Sequence, residues 1–505
     1  MNAVSGWTGE TACRLQSALR MSNEAFAEHL GIGVRTVAGW HQKPTLRPKP
    51  EMQQLLDTAL EQAPSPVKER FSAVSSPAPE DDRLADAHLR AALEWLDEHS
   101  DWPSGTARDE VSRRLVQVDT QQLRDRGNRR ARVNQRQVAD ALRAYYSDLP
   151  EGYGCYSACI DDTVAATSIL THADWLDLRA SLFTDDRFRL TSATPGPTAR
   201  LDAEAASRAA QRLAESLALR TKLVNMPLYR LLGIDIADGK IDGTLGISHF
   251  VDYALTMDLL EGELVDSLVA GVPSTPLRDR YLPDAAAVLD LPNRLCAGGT
   301  LALCAFARPA DPFRGPADYV LLVQERSGHV VNAARRLAVI PKGFHQPMAD
   351  LRADGRIGAT LRREMEEELF GRDDIDNTVA HQRAADPMHP SRLSEPMQWL
   401  FGEPGRIRME STGFGLNLMS GNYEFPGLIV VEDEDFWARY GGLVEANWES
   451  ANLRQYSSRD RALLTDLIGD VAWSNEGLFA LLQGLRRLGE IGGDRVDLPA
   501  IEGEI

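Results

Sequence analysis

Lysine is nearly missing from this chain. Only Lys43, Lys49, Lys68, Lys222, Lys240 and Lys342 occur in 505 residues, and arginine carries the remaining positive charge. That imbalance reads as the codon bias of a GC-rich bacterial genome and is silent on fold. Cysteine is scarce too. Cys13, Cys155, Cys159, Cys296 and Cys304 form no CxxC pair and no Cys/His cluster with zinc spacing, which excludes a structural zinc site of the usual kind. An odd number of thiols in a long chain is expected of reduced cysteines in the cytoplasm. Cys155 and Cys159 are four apart, a spacing that suits one face of a helix. The opening MNAVSGWTGETACRL lacks a basic segment followed by an apolar core, so no signal peptide is expected. The longest apolar candidate, around Leu301 to Phe306, is too short to cross a membrane. Serine-hydrolase, Walker and Rossmann glycine motifs are all absent. Positive charge is also short overall: the formal net charge is -19. That excludes a protein coating nucleic acid along its whole surface but leaves room for a local basic patch.

What is present is ordinary globular material, with 43% hydrophobic and 26% charged residues, and a length that suggests two to four domains. Residues 1–62 read as short helices. Residues 63–85 (within QAPSPVKERFSAVSSPAPEDD) carry the Pro, Ser and charge of a linker. Residues 86–150 are helical in pattern and basic, with ten arginines against five acids from Arg108 to Arg143. Residues 151–290 mix types: LDAEAASRAAQRLAESLALRTKLV is helical, YRLLGIDIADGKIDGTLGI predicts two strands around an Asp-Gly turn, and SHFVDYALTMDLLEGELVDSLV resumes helical spacing. From 291 to 505, strand-like segments (TLALCAFARP, ADYVLLVQERS, NYEFPGLIVVEDEDFW) interleave with helices. The last helix has an apolar face of Leu478, Leu481, Leu482, Leu485 and Leu488. This part predicts a mixed sheet flanked by helices.

Two stretches carry chemistry. In SNEAFAEHLGIGVRTVAGWHQKP, residues 22 to 44, Ser22 is a candidate cap, and Phe26, Ala27 and Leu30 form an apolar face. Gly31 suits a helix stop with positive φ, and Ile32, Val37 and Trp40 supply buried contacts for a second helix. From Arg35 to Lys49 there are four cations (Arg35, Lys43, Arg47, Lys49) and no acid, which suits contact with phosphates. This register resembles the helix-turn-helix family of phage-repressor type. The resemblance implies an all-α N-terminal reader of double-stranded DNA in which Val34, Arg35, Thr36 and Ala38 face base edges, with Arg35 placed for a bidentate contact to guanine. A small helical bundle whose Ala-Gly spacing serves packing alone is the alternative. The run RDRGNRRAR, residues 124 to 132, reads first as a solvated arginine face, with a second DNA contact or pairing with acids as the other readings.

The second stretch is IGATLRREMEEELFGR, residues 357 to 372. At about 100° per residue, Glu364, Glu367 and Glu368 share one helix face, while Arg362 and Arg363 lie elsewhere on the wheel. Three stacked carboxylates call for a counter-charge, and Mg²⁺ or Mn²⁺ is the usual one. An ordinary charged surface helix is the alternative. Arg363-Glu364-Met365-Glu366-Glu367-Glu368, preceded by a strand ending in Ile340-Pro341-Lys342-Gly343, resembles the core of the Nudix signature and its preceding P-x-G loop. The resemblance implies a C-terminal α/β Nudix-like domain with Glu364, Glu367 and Glu368 as metal ligands. It implies Arg363 and Glu367 as catalytic positions, Arg363 orienting one glutamate, and a nucleoside diphosphate derivative as ligand. The chain departs from the signature at Gly355, where a glutamate is expected with Asp354 beside it. It departs again at Phe370, where glycine is expected and Gly371 follows one step later, and it carries an insertion in HQPMADLRADGR. Those departures suit binding without efficient hydrolysis. His345, His381 and His389 lack ligand spacing.

The expectation is therefore a multidomain chain with three parts: an all-α helix-turn-helix N-terminus, a helical and mixed middle, and a C-terminal α/β Nudix-like domain. Its expected role is a cytoplasmic DNA-binding regulator, acting as a homodimer without membrane contact, that senses a nucleotide-derived or phosphorylated metabolite. A working Mg²⁺-dependent hydrolase and a non-catalytic interaction protein are the alternatives.

Overall fold

The computed structural model describes residues 7–505 except 20, 44–45, 64–66, 69–70, 72–83, 85, 161–162, 192–199, 222, 327–335, 349, 371–387, 442–443 and 445–449. It divides into two compact units, Met1–Asp86 and Ala87–Ile505.

In the first unit the described helices are α1 (Gly9–Leu19), α2 (Asn23–Leu30), α3 (Val34–Gln42) and α4 (Pro50–Gln62). Ser22 starts α2 by accepting the Ala25 N–H on its hydroxyl at 3.2 Å. Gly31 ends it at φ 66, a left-handed conformation that glycine adopts without penalty. Trp7, Leu15, Phe26, Ala27, Leu30, Val37, Trp40 and Leu56 form the core between these helices. Ser22→Ala removes the cap and is expected to cost about 1 kcal/mol, whereas Ser22→Gly costs a few tenths. Amide exchange across Asn23–Leu30 reads this difference, and equal protection in the two variants would refute the cap's role.

In the second unit, helices α5 (Ala87–His99), α6 (Thr106–Gln117), α7 (Thr120–Arg130) and α8 (Gln135–Tyr145) precede the strands. Then come β1 (Tyr153–Ile160), β2 (Thr163–His172), β3 (Ala180–Ser181), β4 (Asp186–Leu190), α9 (Ala203–Leu219), β5 (Pro227–Ala237) and β6 (Lys240–His249). Helices α10 (Phe250–Ala254), α11 (Leu259–Ala270), α12 (Pro276–Tyr281) and α13 (Ala285–Leu289) lead into β7 (Gly298–Arg308), β8 (Asp318–Arg326), β9 (Leu337–Val339) and β10 (Lys342–Phe344). The chain continues with α14 (Ile357–Glu364), α15 (Glu395–Gly402), β11 (Ile407–Ser411), β12 (Gly415–Asn417), β13 (Tyr423–Val431) and α16 (Glu434–Tyr440). It closes with β14 (Ser450–Ser457), α17 (Arg461–Ile468), α18 (Asn475–Ile491) and β15 (Glu502–Glu504).

Twelve of these strands make one mixed sheet in the order β14-β8-β7-β13-β12-β2-β1-β15, with β3, β9, β10 and β11 attached beside it. Its centre is the parallel pair β7 and β13, in register from Gly298 opposite Tyr423 to Phe306 opposite Val431. Helix α18 lies on this sheet, and Leu478, Phe479, Leu481, Leu482, Leu485 and Leu488 pack against Leu301, Leu303, Leu428 and Val430. A second sheet, β4-β6-β5, contains the predicted hairpin, turned at Asp238 and Gly239 with φ 51 and 71.

The expected fold class needs correction. The large sheet takes β1, β2 and β3 from the middle of the chain and pairs them with β12, β11 and β15. The C-terminal part is therefore not a separate α/β domain with a sheet of its own. The change of texture near residue 291 marks the start of β7, which is buried along nearly its whole length, and not the edge of a folding unit. Nor is an all-α helix-turn-helix domain shown at the N-terminus. Residues 1–86 are partly helical, and the 63–85 linker lies largely outside the described residues. Cys155 and Cys159 sit on β1 and not on a helix. A spacing of four is an even number, so it also keeps two residues on one side of a strand. The helical spacing of 248–269 is broken between α10 and α11. All five cysteines are free, and no helix among the described residues is long and apolar enough to cross a membrane.

Candidate functional site

The residues expected to meet DNA lie at the start of α3 and just beyond its end. Val34, Arg35, Lys43, Arg47 and Lys49 are exposed, and Thr36 and Ala38 are half-buried. Val37 and Trp40, on the other side of the same helix, are in the core. One helix thus divides cleanly into a packed face and an open one.

The glutamate helix is not a surface helix. Glu364, Glu366, Glu367 and Glu368 are 8%, 0%, 4% and 1% exposed. After Glu364 the α-helix widens into a π-helical turn over Met365–Leu369. Uniform 100° spacing no longer holds there, yet Glu364 and Glu368 both reach β10, at Gly343 and at Lys342. Each of three carboxylates is instead met by its own protein donor. Arg363 Nη2 donates to Glu364 Oε1 at 2.6 Å, contrary to its expected place elsewhere on the wheel. Ser394 donates to Glu366 from both N and Oγ at 2.6 Å. The Lys342 N–H donates to Glu368 Oε2 at 2.7 Å. Among the described residues no three His, Cys, Asp or Glu side chains form a group able to hold a metal ion.

The structure does bring the two pieces of the signature together. A Cβ on Gly343 would lie 1.9 Å from Glu364 Oε1 and 2.1 Å from its Cδ, so only glycine lets β10 run this close to α14. Beside it, Lys342 Nζ reaches Glu476 Oε1 at 2.6 Å. Glu476 Oε2 accepts from Asn417 Nδ2 at 3.3 Å. Burial opposes the charge of Glu476, but Lys342 overcomes this and holds its carboxyl below the usual range. Glu424, at the start of β13, is pushed up to about 8, first by burial and then by the negative charge of Glu476. The half-buried Glu261 is pushed up to about 7 by burial, Asp258 and Glu476. The centre is Lys342, with Arg336 acting on Glu261 and Glu476, among competing carboxylates.

Glu424 makes the fold pH-dependent. Its folded pKa lies above the ordinary 4.5, so its contribution to stability is full below that value. It is lost as pH rises through about 8, because the unfolded chain has already released the proton. Glu424→Gln is expected to remove a decline of about 1 kcal/mol per pH unit across this window. Urea unfolding at several pH values reads it, and parallel profiles for the two proteins would sink it.

No family model matches the chain, and no curated protein matches it. His345 is buried, pushed down to about 3 chiefly by burial, and shares a 2.9 Å hydrogen bond between Nδ1 and Tyr423 Oη. His389 is exposed and bonds Ser391 Oγ at 2.8 Å. His381 and Gly371 lie outside the described residues. Beside Gly355, where the signature has glutamate, Asp354 ties the preceding loop by accepting the Met348 and Asp350 N–H groups at 2.8 and 2.9 Å. Phe370 packs edge-on against Phe436. Sequence reasoning missed Glu424, Glu476 and Asn417. The available signal was Lys342, the only lysine after Lys240 in an arginine-rich chain.

Proposed function

We propose that this protein is a DNA-binding transcriptional regulator whose second unit senses a nucleotide-derived or phosphorylated metabolite. The observation that carries DNA reading is the division of α3, with Val34 and Arg35 open and Val37 and Trp40 packed, followed by exposed Lys43, Arg47 and Lys49. An exposed helix N-terminus with cations beyond it suits entry into a major groove with phosphate contacts alongside. A cytoplasmic homodimer that contacts two half-sites belongs to the same reading. Sensing requires the ligand to bind the DNA-competent and incompetent states unequally. The test is selection from a random double-stranded DNA pool with the full chain, with and without nucleotide diphosphates. Enrichment of a sequence that changes with the nucleotide supports both halves, and no enrichment in either condition refutes the reading.

Hydrolysis of nucleoside diphosphate derivatives is the second reading. The meeting of Pro341-Lys342-Gly343 with the glutamate helix favours it. The engagement of Glu364, Glu366 and Glu368 by protein donors weighs against it. Mg²⁺-dependent turnover lost in Glu367→Gln would replace the regulator's sensor with an enzyme.

A further inference from the structure

Three arginines of the second unit are buried, and among the described residues none of their guanidinium groups pairs with a carboxylate. Arg278 is 0% exposed, Arg230 3% and Arg294 7%. Their guanidinium groups donate to uncharged oxygens. Arg278 Nη1 reaches Leu418 O at 2.5 Å and Tyr146 Oη at 3.2 Å, and its Nη2 reaches Met419 O at 2.6 Å and Leu260 O at 3.5 Å. Arg294 Nη1 reaches Gly421 O at 2.5 Å and its Nε reaches Val288 O at 2.8 Å. Arg230 Nη2 reaches Pro292 O at 2.6 Å. Among the described residues, three of their buried nitrogens have no acceptor: Nε of Arg230, Nε of Arg278 and Nη2 of Arg294.

These groups belong to one place. Arg278 and Arg294 both hold the turn 418–421, which joins β12 to β13, and both act on the Tyr146 hydroxyl. Arg230 and Arg294 both act on the thiol of Cys296, whose Sγ faces Gly421 O at 3.7 Å. Neighbouring acids serve the backbone. Glu263 accepts the N–H groups of Leu277 and Arg278 at 3.0 Å, and Asp284 accepts that of Ala287 at 2.8 Å. A carbonyl is a weak partner for a buried cation. A guanidinium fork out of water is matched by a carboxylate or phosphate, and a buried charge persists cheaply only when paired. Arg278 and Arg294 on the turn, and Arg230 beside Cys296, each with a spare donor, mark a place built for an anion.

We propose that Arg230, Arg278 and Arg294, together with the turn 418–421, form a switchable site for a diphosphate group. Its oxygens take over the donors now held by Leu418, Met419 and Gly421, and the freed turn moves. This deepens the sensor reading and rests on it. The turn leads directly into Tyr423 and Glu424, so ligand occupancy reaches the Lys342–Glu476 centre through β13. Two of the three arginines come from residues 151–290, where the sequence offered no chemistry.

The test is calorimetric titration of the full chain with sodium pyrophosphate and, separately, with ADP, with no DNA present. Saturable binding weakened roughly tenfold or more in both Arg278→Gln and Arg294→Gln is expected, the loss of one charge-assisted fork. Binding of both probes assigns the site to a nucleotide diphosphate, and binding of pyrophosphate alone assigns it to the free inorganic anion. Because either variant removes a buried contact, amide exchange of the unaltered chain is the second measurement. Pyrophosphate must change exchange within 418–423. Failure of both probes to bind, full affinity in folded variants, or unchanged exchange at 418–423 overturns the site. DNA selection that survives such a result would leave the DNA reading standing and remove only this one.

Discussion

Lys342→Met is expected to destabilise the second unit by about 3–5 kcal/mol at pH 8, the usual cost of stranding one member of a buried ion pair. Methionine keeps most of the apolar stem and removes the ammonium. Lys342 and Glu476 are both largely buried, with side chains 14% and 8% exposed, so water cannot replace the lost partner. Glu476 would then face Glu424 with Asn417 Nδ2, Ser474, its own backbone N–H and Arg336 to offset its charge. The pH dependence should also change sign. In the unaltered chain the Glu476 carboxyl is held low, so its contribution is present above the ordinary 4.5 and is lost as pH falls through its folded value. Without Lys342, the largest remaining influence on Glu476 is its burial, which pushes it up. The variant then regains stability as pH falls and loses it as pH rises. Adding Glu476→Gln should recover a large part of the loss, because the stranded charge is gone. Urea midpoints for the single and double variants between pH 5 and 8 check this. A loss below 1 kcal/mol at pH 8, or no recovery in the double variant, would show that the pair is not the structural centre.

Local signals in the sequence were readable where one element decides its own conformation. Asp238-Gly239 reads as a tight turn between two alternating runs, and β5 and β6 are those runs. The leucines of α18 repeat on one face, and that face is the one buried against the sheet. What could not be read is pairing between distant residues. Nothing local in Thr163–His172 tells that Leu170 sits opposite Leu416, since any half-buried strand has the same pattern. The glutamate helix departs from simple periodicity for a related reason. Periodicity assumes one rise and one rotation, whereas a π-helical turn changes the rotation after Glu364. Charge patterning also cannot distinguish a solvated glutamate from one capped by Ser394. The arginines of α7 show both outcomes: Arg124 and Arg129 are exposed, while Arg130 forks onto Asp266 at 2.6 Å and Arg126 pairs with Glu215. The acids that answer them stand on α9 and α11, more than eighty residues away in sequence.

The other large effect is expected at Arg35. Arg35 is exposed in the first turn of α3, while Val37 and Trp40 anchor that helix in its unit, so shortening Arg35 leaves the fold intact. If Arg35 forms a bidentate contact to guanine, Arg35→Ala should weaken binding to a selected DNA about ten- to a hundredfold and relax selection at one base pair. Its effect on unrelated DNA should be small. Lys49→Ala should behave differently. A phosphate contact carries no sequence information, so affinity should fall by a similar factor on every duplex, and the salt dependence should lose about one unit of slope. With a net charge of -19, the chain as a whole repels DNA, which makes the local run from Arg35 to Lys49 the more decisive. Titrations of both variants on the selected duplex and on a scrambled one, at two salt concentrations, separate the two roles. Equal losses on both duplexes for Arg35→Ala would make Arg35 a phosphate contact, and unchanged affinity on both would remove α3 from the DNA interface.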